Sequence, residues 1–203
     1  MTIEWKTSTN VVPYEKALSF MENRVDGIIR GEQNELIWAL EHPPIYTSGT
    51  SSKKEDLLNP KNLPVYEAKR GGQYTYHGPG QRVIYVMLDL NKRGRDLRKF
   101  VKNLENWIIH TLSDFEIEGF TRNDRIGVWV KRPEKPSSIK PDVCEEKIAA
   151  VGIRLRKWVS FHGISVNVDP ELNYYEGIVP CGISDYGVTS MRDLGKNVTI
   201  EEL

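Results

Sequence analysis

Hydrophobic residues recur at helical spacing in two stretches of the chain. In 14–29 and again in 97–115, the apolar side chains fall three or four residues apart. This period places them on one face of an α-helix, so the pattern predicts two amphipathic helices. The predicted buried faces carry Ala17, Leu18, Met21, Val25, Ile28 and Ile29 in the first helix and Phe100, Leu104, Trp107, Ile108 and Leu112 in the second.

Shorter apolar runs have the length of strands rather than helices. They lie at 36–40, 83–88, 126–130, 147–154 and 158–168. The stretch 132–141 between two of them holds three prolines among polar residues, which predicts an exposed loop. The order of elements predicts a mixed α+β fold, with helices packed against one large, largely antiparallel sheet.

Length and charge narrow the class of protein. A chain of 203 residues is the usual size of one domain. Lys plus Arg and Asp plus Glu are equal at 28 each, so we expect no nucleic-acid partner. The first residues contain no apolar run, so we expect no signal sequence, and the chain contains no apolar run of about 18 residues, as a membrane span needs. With two cysteines and no disulfide framework, we expect a cytoplasmic protein that does not bind membranes.

Glycine is concentrated at 70–81, which reads RGGQYTYHGPGQ. Four glycines and a proline let the backbone approach a ligand closely, yet the stretch is neither a phosphate loop nor a dinucleotide fingerprint. Composition alone leaves two interpretations open. One is a hairpin with tight turns, and the other is a ligand-lining loop that uses the polar side chains of Arg70, Thr75, Tyr76 and His77.

Two residues outside this stretch are candidates for acid–base or nucleophilic chemistry. Lys147 opens a strand of small residues, where partial desolvation would suit it to proton transfer. The alternative is a strand-end lysine that reaches water. Cys181 stands between Pro180 and Gly182, in a turn that lets a thiol project as a nucleophile when a neighbour stabilises its thiolate. The alternative is a small buried hydrophobic residue.

The four histidines show no metal-ligand spacing, and no CxxC pair occurs, so the sequence predicts no metal site. His42 precedes two prolines, where a turn-capping role is expected. His162 precedes a glycine in a strand-like run, where a half-buried histidine with satisfied hydrogen bonds is expected.

Five stretches, in this order along the chain, resemble the lipoyl (octanoyl) transferase family. They are EHPPIYTSG at 41–49, RGGQYTYHGPGQ at 70–81, KIAAVGIR at 147–154, FHGISVN at 161–167 and PCG at 180–182. The resemblance implies the fold of biotin and lipoate protein ligases, with residues 1–203 forming a single catalytic domain. The chain departs from the family in a longer loop at 132–146, which carries an extra cysteine, Cys144.

The resemblance also implies roles for particular residues. It makes Cys181 the nucleophile that carries the acyl group as a thioester, and Lys147 its acid–base partner. The implied reaction moves an octanoyl group from acyl carrier protein to a lysine of lipoyl domains, in 2-oxoacid dehydrogenases and the glycine cleavage H protein. Because the donor thioester sits on the carrier's phosphopantetheine, no cofactor, ATP or metal is expected. The implied substrate-binding residues are Arg70, Gly71, Gly72, Gln73, Tyr74, Thr75, Tyr76, His77, Ala150, Val151, Gly152, Gly163, Ile164 and Ser165.

Four other functions stay open. An ATP-dependent lipoate or biotin protein ligase of the same fold would not need a cysteine nucleophile. A related enzyme would move octanoyl groups between carrier proteins. A cysteine hydrolase would pair Cys181 with His77 or His162, and a non-catalytic binding module would tolerate loss of Cys181. We expect a monomer, because the sequence shows neither a coiled-coil pattern nor an apolar interface stripe.

Overall fold

The computed structural model describes residues 2–60, 62–137, 142, 144–179 and 186–203, and within these ranges it contains ten strands and two α-helices. In chain order they are β1 (Ile3–Thr7), α1 (Tyr14–Arg30), β2 (Glu35–Leu40), β3 (Ile45–Ser48), β4 (Val65–Glu67), β5 (Thr75–His77), β6 (Gln81–Met87), α2 (Leu97–Asp114), β7 (Val128–Lys131), β8 (Glu145–Arg156), β9 (Val159–Asn167) and β10 (Gly187–Val188). Short 3₁₀ helices lie at Lys54–Asp56, Leu90–Arg93 and Leu172–Gly177.

Seven strands form one mixed sheet. Their order is β1-β2-β6-β9-β8-β10, and β7 also pairs with β8. The pairs β1/β2 and β8/β10 are parallel, and the other pairs in this sheet are antiparallel. The α+β fold with a largely antiparallel sheet, predicted from the sequence, is therefore confirmed.

The two predicted helices pack on opposite faces of this sheet. Side chains alternate between the faces of a strand, so Leu36 and Trp38 of β2 meet α1 whereas Ile37 meets the α2 side. Helix α1 ends at Gly31, which adopts the left-handed backbone conformation (φ 73°) that favours glycine. Helix α2 begins after Asp96, whose carboxylate accepts a hydrogen bond from the Lys99 N–H (2.9 Å).

A second, three-stranded sheet has the order β4-β3-β5 and was not expected from the sequence. Its strands are only three or four residues long, which is too short for a hydrophobic period to show. The pairing of β3 with β5 brings the stretches 41–49 and 70–81 together. The Gly71 N–H donates to the Ile153 carbonyl (3.0 Å), which ties the glycine-rich stretch to β8.

The proline-rich stretch predicted as a loop is described only to residue 137, and that part contains neither helix nor strand. Its first residue, Arg132, is buried and forms ion pairs with Glu146 (2.9 Å) and Asp193 (2.7 Å). These contacts tie the loop to β8 and to the last part of the chain. Among the helices within the described ranges, none is both long and apolar enough to cross a membrane.

Gln81, at the start of β6, joins the two sheets through hydrogen bonds. Its Oε1 accepts from Nδ1 of His77 (2.6 Å), and its Nε2 donates to Oδ1 of Asn167 (2.9 Å) and to the Tyr76 carbonyl (3.2 Å). Gln81 is fully buried, so losing its amide would leave these groups unpaired and away from water.

The Gln81→Leu variant should therefore lower the free energy of unfolding by about 2–4 kcal/mol, measured by urea denaturation. The exposed Gln33 offers a matched control, and Gln33→Leu should change stability by less than about 0.5 kcal/mol. Equal stability of the two variants would show that this network does not hold the sheets together.

Candidate active site

A pocket of about 530 Å³, its open mouth included, lies between the two sheets. Strands β8 and β9 form one wall, and the glycine-rich stretch before β5 forms the opposite wall. Every predicted substrate-binding residue of 70–77, 150–152 and 163–165 lines this pocket except Tyr74 and Tyr76. The structure thus brings three stretches that are distant in sequence to one place.

The register of β8 and β9 explains the shape of the first wall. Ala150 lies opposite Ser165, and Gly152 lies opposite Gly163. The facing glycines leave space that the side chain of Arg70 enters, since a Cβ added at Gly152 would lie 2.8 Å from Cδ of Arg70. A larger residue at Gly152 would compete with Arg70 for this space.

Arg70 is buried and holds the opposite wall in place. Its Nη2 donates to the carbonyl (3.1 Å) and Oγ1 (2.8 Å) of Thr47 in β3, and its Nη1 donates to the Gly71 carbonyl (3.1 Å). The guanidinium also places a positive charge in the wall of the pocket.

Tyr74 and Tyr76 lie behind the pocket, in an aromatic cluster that includes Tyr46 and Tyr175. Successive side chains of an extended chain point to opposite sides, so residues 75 and 77 face the pocket while 74 and 76 face away from it.

Lys147 is buried, with 7% of its surface exposed, and its Nζ lies 4.7 Å from the ring centroid of Trp129. It lines a second pocket of about 260 Å³ that shares Thr75, Ala150 and Ser165 with the large one. The ammonium group therefore lies beside the large pocket, and the alternative of a strand-end lysine in water does not apply.

The predicted nucleophile, Cys181, lies outside the described residues. Val179 and Tyr186, the described residues on either side of it, both line a third, more open pocket of about 840 Å³. Val188 lines this pocket as well as that of Lys147, and it pairs with Lys147 between β10 and β8. The chain on both sides of 180–185 thus lies close to the lysine strand.

A cluster of polar rings adjoins the large pocket, and three of its members that line the pocket, Tyr14, Tyr85 and His162, were not assigned to the site by the sequence analysis. The ring centroids are 5.4 Å apart for Tyr14 and His42, 5.8 Å apart for His42 and Tyr85, and 6.0 Å apart for Tyr85 and His162. The ring centroid of His77 lies 5.9 Å from that of His42. We call these five residues the ring cluster. They come from α1, the turn before β3, β5, β6 and β9, so no spacing in the sequence marks them. Within the described ranges, no three His, Cys, Asp or Glu side chains are arranged to hold a metal ion.

The model of the lipoyl protein ligase A/B catalytic domain matches residues 13–203. The chain belongs to this family. An octanoyltransferase from Brucella melitensis is 59% identical over 201 residues, covering 99% of this chain and 76% of the relative. An octanoyltransferase from Cereibacter sphaeroides is 57% identical over 201 residues, covering 99% and 92%. At such identity over nearly the whole chain, this family member is an acyltransferase.

The fold of this lipoyl protein ligase A/B family member also occurs in a solved structure of a bipartite lipoate protein ligase and its E2 lipoyl domain from Thermoplasma acidophilum. The two chains are 16% identical, with a TM-score of 0.63 over 99% of this chain and 79% of the other. This likeness shows the shared fold.

Hydrogen bonds set the tautomers of two histidines in the ring cluster of this family member. Nδ1 of His42 donates to the Val12 carbonyl (2.6 Å), so its Nε2 accepts from the Tyr85 hydroxyl (2.6 Å). Nδ1 of His77 donates to Gln81, as described above. The prediction that His42 caps a turn is therefore wrong, because its fully buried ring links the main chain before α1 to β6.

Burial keeps the histidines of the ring cluster uncharged. It lowers the pKa of His42 to about 4 and the pKa values of His77 and His162 to about 3, and the charge of Arg70 lowers the last two further. All three rings are therefore neutral at pH 7, and they present acceptor nitrogens rather than charges.

The neutral histidines predict that the protein loses stability between pH 7 and pH 5. In the unfolded chain histidines titrate near pH 6.5, so below that pH the unfolded state binds more protons than the folded state. The stability that the neutral rings contribute is fully present above about pH 6.5. It is lost as the pH falls toward the lowered pKa values of the folded state. Each of the three rings contributes up to about 1.4 kcal/mol per pH unit. The free energy of unfolding, measured by urea denaturation, should therefore fall by about 5 kcal/mol between pH 7 and pH 5.

Two variants identify the source of this pH dependence. His42→Gln should remove about a third of the loss, because one of three equivalent titrations disappears. His110→Gln, at an exposed position of α2, should leave the loss unchanged. A pH dependence that is the same in His42→Gln as in the unaltered protein would contradict the neutral state of the buried ring.

Proposed function

We propose that this chain transfers an octanoyl group from acyl carrier protein to a lysine of a lipoyl domain, through a thioester on Cys181. The observation that carries the proposal is the place of Lys147. Lys147 is buried and lines a pocket that shares residues both with the large pocket and with the open pocket lined by Val179 and Tyr186. The names of the two octanoyltransferase relatives support the acyl group, and the lipoyl domain named with the Thermoplasma acidophilum ligase supports the acceptor.

The first half-reaction exchanges one thioester for another and needs no ATP. Lys147, in its neutral form, takes the proton of the Cys181 thiol, and the thiolate attacks the octanoyl carbonyl of the donor. The bond to the carrier's sulfur breaks, and this sulfur leaves as a thiol with the proton that Lys147 returns. The octanoyl group is then bound to Cys181.

The second half-reaction forms the amide. The side-chain amine of the lipoyl-domain lysine loses a proton to Lys147 and attacks the thioester carbonyl. The sulfur of Cys181 leaves and regains a proton from Lys147, which restores the enzyme. Two half-reactions through one covalent intermediate predict ping-pong kinetics.

The large pocket is the proposed site for the acyl tail. Val83, Val151 and Ile164 supply apolar surface to it, and the facing glycines of β8 and β9 leave it room. The tail would enter past Lys147 and run along β8 toward Gly152.

An ATP-dependent ligase is the main competing function, because the fold is shared with a lipoate protein ligase. A ligase would activate a free acid with ATP and would not need Cys181. The two functions therefore differ in what the acyl donor must be and in whether the enzyme itself becomes acylated.

Incubation with octanoyl-acyl carrier protein, without ATP or acceptor, should add one octanoyl group to the intact mass of the protein. Cys181→Ser should abolish this adduct, whereas Cys144→Ser, the matched change at the other cysteine, should retain it. Added lipoyl domain should then receive the group. Acceptor modification that requires ATP and free octanoate, with no enzyme adduct, would assign the chain to the ligases instead.

Replacement of the proposed acid–base residue should slow acylation without unfolding the protein. Lys147→Met keeps an unbranched side chain over the Trp129 ring but removes the amine, so the rate of adduct formation should fall about 10²- to 10⁴-fold. Lys131→Met, at an exposed position on the adjacent strand β7, serves as the control and should react at the normal rate. Rapid acylation of Lys147→Met would exclude this lysine as the base.

A further inference from the structure

Glu105 is a buried carboxylate that the proposed reaction does not use. It lies in α2, and only 5% of its surface is exposed. The other buried residues of this helix are all hydrophobic, namely Phe100, Leu104, Ile108 and Leu112. A carboxylate loses its bonds to water when it is buried, so a carboxylate in this apolar face needs partners within the protein. The partners of Glu105 therefore indicate what the residue does.

The carboxylate of Glu105 holds the main chain just before β7. Its Oε1 accepts a hydrogen bond from the Gly127 N–H (2.9 Å), and this contact is buried. Its other oxygen lies 3.9 Å from Nζ of the exposed Lys102, which is a longer contact. Buried main-chain N–H groups require an acceptor, and Glu105 supplies one to Gly127 from a neighbouring helix. The position of Gly127 is therefore tied to α2.

Gly127 lies against the side chain of Lys147. A Cβ added at Gly127 would lie 3.3 Å from Cε and 3.5 Å from Cδ of Lys147, and 2.8 Å from the Ala149 carbonyl oxygen. The φ of Gly127 is +124°, a value that favours glycine. The bare main chain at this position thus leaves the space that the last methylenes of the lysine occupy.

The proposed acid–base residue is therefore in contact with β7 and the residue before it at two points. Trp129 pairs with Lys147 between β7 and β8, and Nζ of the lysine lies 4.7 Å from the centroid of its ring. Gly127, two residues earlier, lies against the methylenes that carry Nζ. Lysine has a flexible stem of four carbons, so contacts along the stem determine where its amine lies.

We propose that Glu105 is a positioning residue for Lys147 and acts through the main chain of Gly127. Its carboxylate holds Gly127 against the end of the lysine, which keeps the amine where it takes the proton of the Cys181 thiol. A base must lie within hydrogen-bond reach of the proton it removes, and a displacement of about 1 Å costs about 10²-fold in rate. The inference rests on the proposed function, which makes Lys147 the base.

The test measures how fast octanoyl-acyl carrier protein, without acceptor, acylates the protein at a series of donor concentrations. Glu105→Met keeps an unbranched side chain but removes the acceptor, so the rate at saturating donor should fall about 10- to 10²-fold. Glu105→Gln keeps an acceptor oxygen, so its rate should stay within about threefold of that of the unaltered protein. The KM for the donor should stay the same in both variants, because neither Glu105 nor Gly127 lines the large pocket.

A double variant separates positioning from a general structural role. In Lys147→Met no amine remains to be positioned, so addition of Glu105→Met should lower the residual rate by less than about twofold. The matched control is Glu35→Met. Glu35 is 3% exposed and its Oε1 accepts from the Asp89 N–H (2.7 Å), but its strand β2 is separated from β8 by β6 and β9. This control should acylate at the normal rate.

Gly127→Ala tests the same contact from its other end. The added Cβ meets Cε of Lys147 and the Ala149 carbonyl, so it displaces the lysine while Glu105 stays intact. The rate should fall about 10- to 10²-fold in this variant, and again the loss should be absent when Lys147 is replaced by Met. This variant provides the same test if Glu105→Met does not fold, which thermal denaturation of each variant shows.

The outcomes separate this inference from the proposed function. If folded Glu105→Met acylates at the normal rate, or loses the same factor with and without the Lys147 amine, the positioning role is wrong and the proposed function stands. An equal loss in Glu35→Met would also overturn the positioning role. If the unaltered protein forms no adduct, or Lys147→Met forms it at the normal rate, the proposed function fails, and this inference fails with it.

Discussion

The antiparallel register between β8 and β9 is the constraint on which the site depends. It sets Ala150 opposite Ser165 and Gly152 opposite Gly163, which gives the pocket wall its shape. A slip by one residue would turn every side chain of a strand to the other face of the sheet. The first half of β8 is held separately by β7 and β10, so Lys147 is fixed by strands that do not form the pocket. One strand thus carries both the proposed acid–base residue and one wall of the large pocket.

Aromatic and cationic side chains tie Lys147 to the chain that follows the PCG motif. Trp129 contacts two cations, with Nζ of Lys147 at 4.7 Å and the guanidinium of Arg125 at 4.7 Å from its centroid. The same guanidinium lies 4.0 Å from the ring centroid of Tyr186, and it is ion-paired with Glu145 of β8. Cation–π contacts of this kind are stronger when water is excluded, and both Trp129 and Arg125 are largely buried. The first residue described after the motif is therefore anchored to the ring that supports the lysine.

The sequence predicted the parts of this fold whose periodicity extends over several turns or strand residues. Both helices and the long strands of the large sheet were found in this way, and the family motifs located the pocket walls. The small sheet was missed because strands such as Val65–Glu67 are too short to show a period. Thr75 and Tyr76 belong to the same motif, but only Thr75 lines the pocket. The motif alone does not distinguish them, whereas the alternation of side chains along a strand does. No signal in the sequence predicted the left-handed backbone of His162, whose φ is 59° within β9.

Burial of the ring cluster connects the chemistry of the pocket with the stability of the fold. An alkyl tail cannot solvate a charge, so protonated histidines in the pocket wall would disfavour binding of the proposed acyl tail. The burial that lowers the pKa values of His77 and His162 keeps these two pocket-lining rings uncharged at neutral pH. The same burial makes protonation of these rings in the folded state unfavourable, so acid favours the unfolded chain. The neutral rings beside the proposed acyl site and the sensitivity of the fold to acid therefore have one physical cause, and a variant that exposes these rings to water would change both properties together.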